Sequence, residues 1–210
     1  MLKEACVENF TNVPGVIERG AKRIELCDNL AVGGTTPSIG VIKITAEYCS
    51  DKDASIIVIL RPRGGDFVYS LMEKAIMMRD LEEIIVLQAN GIAVGALTAA
   101  NALDKPFLEE IAKLASDNRI ELAFHMAFDE IPEEKQRDAL LWLGEIGFKR
   151  ILTHGGPKEN TIFDNAAHIA ELAKINPDMT IMPGGCITKD NLADLEKVLE
   201  FTEVHGTRIV

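Results

Sequence analysis

Short apolar or alternating runs recur along the chain at LKEACV (2–7), KRIELC (22–27), SIIVILRP (55–62), GIAVGAL (91–97), IELAFHM (120–126), KRILTHG (149–155), TIMPGG (180–185) and TEVHGT (202–207), and each reads as a β-strand. The segments between them follow helical spacing, as at Leu71, Ala75, Met78 and Leu81, or at Leu140, Leu143 and Ile146. Pro37, Pro106 and Thr188 mark helix starts, and Gly20, Gly91 and Gly147 mark expected stops. Eight alternating units in 210 residues predict an α/β chain folded as one (β/α)8 TIM barrel over residues 1–210, with a doubly wound open sheet as the weaker alternative. Because the sequence stops at Val210, directly after the eighth run, the eighth helix is expected to be short or absent.

Composition narrows the partners. With 47% hydrophobic and 26% charged residues the chain has material for one good core. A formal net charge of -11 disfavours nucleic acid and anionic membrane surfaces, because both repel it. The start, MLKEACVENF, lacks the basic flank and long apolar run of a signal peptide or span, so a cytoplasmic location is expected. Cys6, Cys27, Cys49 and Cys186 form no CxxC pair, which argues against a zinc knuckle or a thioredoxin-like motif and leaves reduced thiols.

In a barrel the chemistry gathers where strands end and βα loops begin, and the unusual residues fall there. Those ends carry Cys6, Cys27, RPRGGDF, FHMAFD, THGG, PGGC and His205. Taken in order, the blocks RIELC…GGTTPS, RPRGGDFVYS…E…M, FHMAFD, RILTHGG and VHGT resemble the CutC family, named for copper homeostasis. The resemblance runs through nearly the whole chain. It implies a cytoplasmic barrel protein linked to copper tolerance, with cysteines near the barrel mouth as Cu(I) ligands. Two positions depart from the family pattern, Met126 where arginine is expected and His154 where serine is expected, so no family role carries over to either.

The residues support two chemistries. Cys6 and Cys27 close neighbouring strands, and paired soft thiolates suit Cu(I), although small buried cysteines are also ordinary core residues. Glu4, Glu25, Arg61 and His125 share the inward parity of those cysteines, with Glu25 expected to pair with Arg61 or to orient His125. The alternative is a lyase, isomerase or hydrolase acting on a small anionic substrate. There His125 is the base, Glu4, Glu25 or Asp129 the acid or orienting group, and Arg61 or Arg63 the anion holder. Gly184 and Gly185 read either as a phosphate-cradling turn or simply as a tight turn. His205 is expected in the mouth and His168 on a solvated helix face; Cys49 reads as peripheral, while His154 and Cys186 are ambiguous.

A missing eighth helix would uncover the outward residues Ala5, Val7 and Val204. This predicts either a homodimer or higher oligomer that shields the seam, or loops that fold back across it.

Overall fold

Every one of the apolar runs forms a strand in the computed structural model, which describes residues 1–210. These are β1 (Leu2–Glu8), β2 (Arg23–Cys27), β3 (Ser55–Ile59), β4 (Gly91–Val94), β5 (Glu121–Phe124), β6 (Arg150–Thr153), β7 (Thr180–Pro183) and β8 (Glu203–Gly206). Most are shorter than their runs, because segments such as RPR and FHM leave the ladder and enter the mouth loops. All strand pairs are parallel, in the order β7-β6-β5-β4-β3-β2-β1-β8. Between them lie α1 (Val13–Glu18), α2 (Ile39–Asp51), α3 (Leu71–Val86), α4 (Lys105–Asn118), α5 (Glu133–Glu145), α6 (Ala166–Ile175) and α7 (Leu192–Leu195). The chain is a single-domain (β/α)8 TIM barrel without a helix after β8.

Two expected boundaries shift for physical reasons. Gly91 opens β4 and does not close a helix; a Cβ there would lie 2.6 Å from the Glu121 backbone oxygen, so strand packing demands glycine. The turn after α3 falls to Gln88, at φ 59°. Thr188 opens a turn held by its backbone N–H to Asn191 Oδ1, and only four residues of the following segment are helical.

Strand alternation sorts the barrel into two surfaces. Ile24, Leu26, Ile56, Val58, Val94, Leu122, Phe124 and Ile151 face out and merge with the helices into the main core. Inside, the far arc is dry, with Ile57, Ala93 and Ala123 in contact. The near arc, on β1, β2 and β8, carries charge.

The hydrogen-bond ladder is open between β7 and β8. Arg150 Nε donates to Glu203 at 2.9 Å, Arg23 Nη2 reaches Met182 Sδ at 3.3 Å, and a parallel bridge joins Thr188 to Arg208 beyond the strands. Ala5, Val7 and Val204, expected to face water, are 1%, 4% and 0% exposed within the single chain. They share one buried cluster with Val13 and Val16 of α1, Leu195, Leu199 and the tail residue Ile209. The chain itself thus buries the outward face of β8 and β1, so a second copy is not needed to cover it.

Candidate functional site

The register of β1 on β2 sets Cys6 beside Glu25 and Glu8 beside Cys27. Since every second residue points inward, Cys6, Glu25 and Cys27 converge on one point at the mouth. The two sulfurs are 3.8 Å apart, Cys27 Sγ lies 3.6 Å from Glu25 Oε2, and the candidate donor atoms of all three fall within 4.8 Å of one another. Ile59 and Leu30 pack on the sulfurs from the apolar side.

Below the thiols runs a chain of charges that starts buried and ends at the exposed Glu121. Arg23 pairs with both Glu4 and Glu203, and Arg150 pairs with Glu203 and Glu121. His205 donates through Nδ1 to Glu4 at 2.8 Å and holds Nε2 3.6 Å from Glu25 Oε2. Burial opposes ionisation of Glu4, yet His205 and Arg23 together hold its pKa at about 2. Burial also opposes charge on His205, but Glu25 first, then Cys6 and Glu4, raise it well above 6.5. A hydrogen bond from the Cys27 thiol draws Cys6 well below the usual thiol range, against its burial and with help from His205. The same hydrogen bond, with burial and Glu25, pushes Cys27 well above that range. Glu25 is pushed up by burial and by the adjacent Cys6 charge. Cys6 is therefore the thiol that ionises first, beside an imidazolium.

Arg61, on the loop after β3, and His125, on the loop after β5, line the same mouth, and both are arranged differently from the sequence expectation. Arg61 does not meet Glu25: its Nη1 donates to the carbonyls of Val32 and Gly34, each at 3.0 Å, and its Nη2 to Gly65 at 2.7 Å. It thereby ties the GGTT loop to the loop after β3, and Gly33 and Gly34, at φ 89° and 88°, allow that close approach. His125 is oriented by its own loop, not by a carboxylate, its Nδ1 accepting from the Ala127 N–H at 3.2 Å. Burial, then the Arg61 charge, lowers its pKa to about 3, which keeps the ring neutral and makes it a weak base.

Cys6, Glu25, Cys27, Arg61, His125 and His205 all line one cavity of about 690 Å3 at the barrel mouth. Other residues expected there are engaged elsewhere. Glu4 lies beneath it in the ion chain. Arg63 turns outward to Glu73 and Asp66, so its charge is already matched. Asp129 accepts from Thr153 and from the backbone N–H groups of His154 and Gly155, which makes it a clasp between β5 and β6 loops. At Gly184 and Gly185 a Cβ would lie 2.5 Å from Leu152 and 2.6 Å from His154, so close packing requires the glycines. No helix starts directly behind them to complete a phosphate cradle, since α7 begins at Leu192.

His154 is buried between the carbonyls of Gly184 and Asn160. Cys186 is exposed, while Cys49 is fully buried in the core, where its pKa rises to about 11, and so is not peripheral. His168 is half-buried, its Nε2 2.7 Å from Gln136 Oε1 on α5, and not freely solvated. Met126, at the position of the family arginine, lines the cavity. Sequence reasoning missed the joint role of Arg23, Arg150 and Glu203. Their signal was present as charged residues at inward positions of strands that otherwise read as core.

A family model described as the CutC family matches residues 1–210. A CutC family protein of Enterococcus faecalis is 47% identical over 211 aligned residues, covering 100% of both chains. The human copper homeostasis protein cutC homolog is 34% identical over 205 residues, spanning 97% of this chain and 72% of the relative. The solved structure of CutC from Streptococcus agalactiae superposes with a TM-score of 0.95 at 40% identity and 100% coverage of both chains. A deoxyribose phosphate aldolase from Aeropyrum pernix reaches 0.71 at 12% identity over 98% of this chain and 84% of that one, a likeness of fold alone. No helix is long and apolar enough to cross a membrane. The chain belongs to the CutC family.

Proposed function

We propose that the protein handles copper in the cytoplasm by binding Cu(I) as cargo between Cys6 and Cys27. The observation that carries this reading is the pair of buried sulfurs 3.8 Å apart at the barrel mouth. With metal–sulfur bonds of about 2.3 Å, that separation corresponds to an angle of about 110° at the ion, so both sulfurs reach one metal without moving the strands. Two thiolates form a soft donor set that favours Cu(I), whereas the only other candidate donor in the cluster, Glu25, is a hard carboxylate. A reducing compartment keeps the sulfurs free and keeps copper monovalent.

The surrounding residues hold and move protons. Cys6 offers a sulfur biased toward thiolate; Cys27 must release its proton when metal arrives; Glu25 and His205 are placed to take up that charge change. The membership of relatives named for copper homeostasis supports the same assignment.

Competition of the reduced protein against a chromogenic Cu(I) chelator tests this. Cys6→Ser and Cys27→Ser are each expected to weaken copper retention at least tenfold, while Cys49→Ser leaves it unchanged. Equal competition by wild type and the double serine variant would overturn the proposal.

A further inference from the structure

The cavity is far larger than a bare ion needs. Its volume of about 690 Å3 falls in the range of small-molecule sites, and just over half of its lining residues are hydrophobic. Besides the thiols it is lined by Arg61, from the loop after β3, and by His125, from the loop after β5.

Arg61 is 4% exposed, and all three hydrogen bonds from its guanidinium go to backbone carbonyls. No carboxylate lies within ion-pair distance of it, in contrast to Arg23, Arg63 and Arg150, each of which has at least two. A buried cation without an opposite charge is costly. The Tyr69 hydroxyl and the Arg61 Nε both lack a hydrogen-bond partner, and a neutral phenol does not balance a charge in any case. Of the other cationic groups at the cavity, Lys158 is matched by Glu130 at 3.6 Å and His205 by Glu4 at 2.8 Å.

His125 adds a second unmet donor. Because Nδ1 accepts from Ala127, the proton of the neutral ring sits on Nε2, which is buried and has no partner. The Phe67 ring lies against both groups, its centroid 4.9 Å from Arg61 Cζ and 5.0 Å from the His125 ring centroid. Phe67 itself is half-buried on the RPRGGDF loop and lines the cavity.

We propose that this cavity binds a small organic monocarboxylate with an apolar body, its carboxylate held by Arg61 and His125 once the Phe67 ring moves aside. One unmatched cation and one neutral N–H suit a single negative charge. A phosphate dianion would leave its second charge without a partner there. The apolar lining, including Leu30, Val68, Leu97 and Leu152, receives the rest of the molecule. The site shares its cavity with the copper pair but does not depend on it.

Calorimetric titration of the reduced, metal-free protein with benzoate, benzamide and inorganic phosphate tests the assignment. Benzoate is expected to saturate one site and to bind at least tenfold more tightly than either benzamide or phosphate. Arg61→Gln should weaken benzoate at least tenfold and His125→Phe about threefold to tenfold. Circular dichroism checks the fold of each, and if Arg61→Gln fails to fold, His125→Phe carries the test. Absence of saturable binding, equal affinity for benzamide, tighter binding of phosphate, or wild-type affinity in a folded variant would each overturn the proposal. The Cys6→Ser, Cys27→Ser double variant is expected to keep benzoate affinity even if the copper reading fails; its loss there would refute the placement at Arg61 and His125.

Discussion

His125 illustrates how far one side chain's chemistry departs from its residue type. Histidine at a barrel mouth suggests a general base, but complete burial and the neighbouring Arg61 lower its pKa from 6.5 to about 3. The linked stability has a definite sign. The unfolded chain takes up a proton near pH 6.5 and the folded chain does not until about pH 3, so stability is complete above 6.5 and declines as pH falls toward 3. Between pH 7.5 and 5.5 this contributes a loss of about 1.4 kcal/mol. Urea unfolding at those two pH values is expected to show wild type losing about 1.4 kcal/mol more than His125→Gln, a difference from which the opposite contribution of His205, common to both, cancels; equal changes in both would show that the ring titrates normally in the fold. The inward direction of His125, Arg61 and Glu25 was legible from strand parity. Their partners were not, because parity fixes the side of a strand and leaves open the angle around the barrel axis. Glu25 accordingly meets His205 and the thiols, two strands at most from its own, and Arg61 meets only loop carbonyls.

At the scale of elements, the strands were legible because a parallel barrel buries both strand faces, so each strand is a short apolar run between polar loops. The glycines were less so, since the same residue stops helices and permits close contact. Gly91 is the instructive case. Its missing side chain lets β4 lie against β5, where a Cβ would also meet Ile57 Cδ1 at 2.7 Å, in the apolar arc inside the barrel. Gly91→Ala is expected to cost about 1–3 kcal/mol of stability by thermal or urea unfolding. A neutral result would mean that the strands yield easily at this point. On α3 the Ser70–Glu73 capping box does two jobs, since Glu73 closes the box and also receives Arg63 from the RPRGGDF loop. Ser70→Ala is expected to lose about 1 kcal/mol. It should also raise amide exchange across residues 62–70, because the loop that carries Phe67 is anchored through that helix start.

At the scale of the whole barrel, the residues that bury the outward faces of β8 and β1 decide how it should respond to damage. Strand parity marks Ala5, Val7 and Val204 as outward apolar positions; it does not show which residues bury them, since that depends on chain path. Gly206 fixes the arrangement, because a Cβ there would sit 2.5 Å from the Ile187 carbonyl oxygen and 3.5 Å from Ile209 Cβ. Val204 and Ile209 are both fully buried as a result. Ile209→Ala is therefore expected to destabilise the protein by about 2–5 kcal/mol, as a core truncation does. Val204→Glu buries a carboxylate at a fully buried apolar position, with only the half-buried Lys3 beside it on the neighbouring strand, which costs folding free energy whether or not copies associate. Two measurements separate this from a seam shielded by a second copy. Urea unfolding of Val204→Glu should show a large loss of stability that does not change with protein concentration. Light scattering after size exclusion should show wild type and Ile209→Ala with the same mass over a dilution series. A variant that folds as stably as wild type but loses mass on dilution would mean that the seam is an interface between chains and that the tail does not cover it in solution.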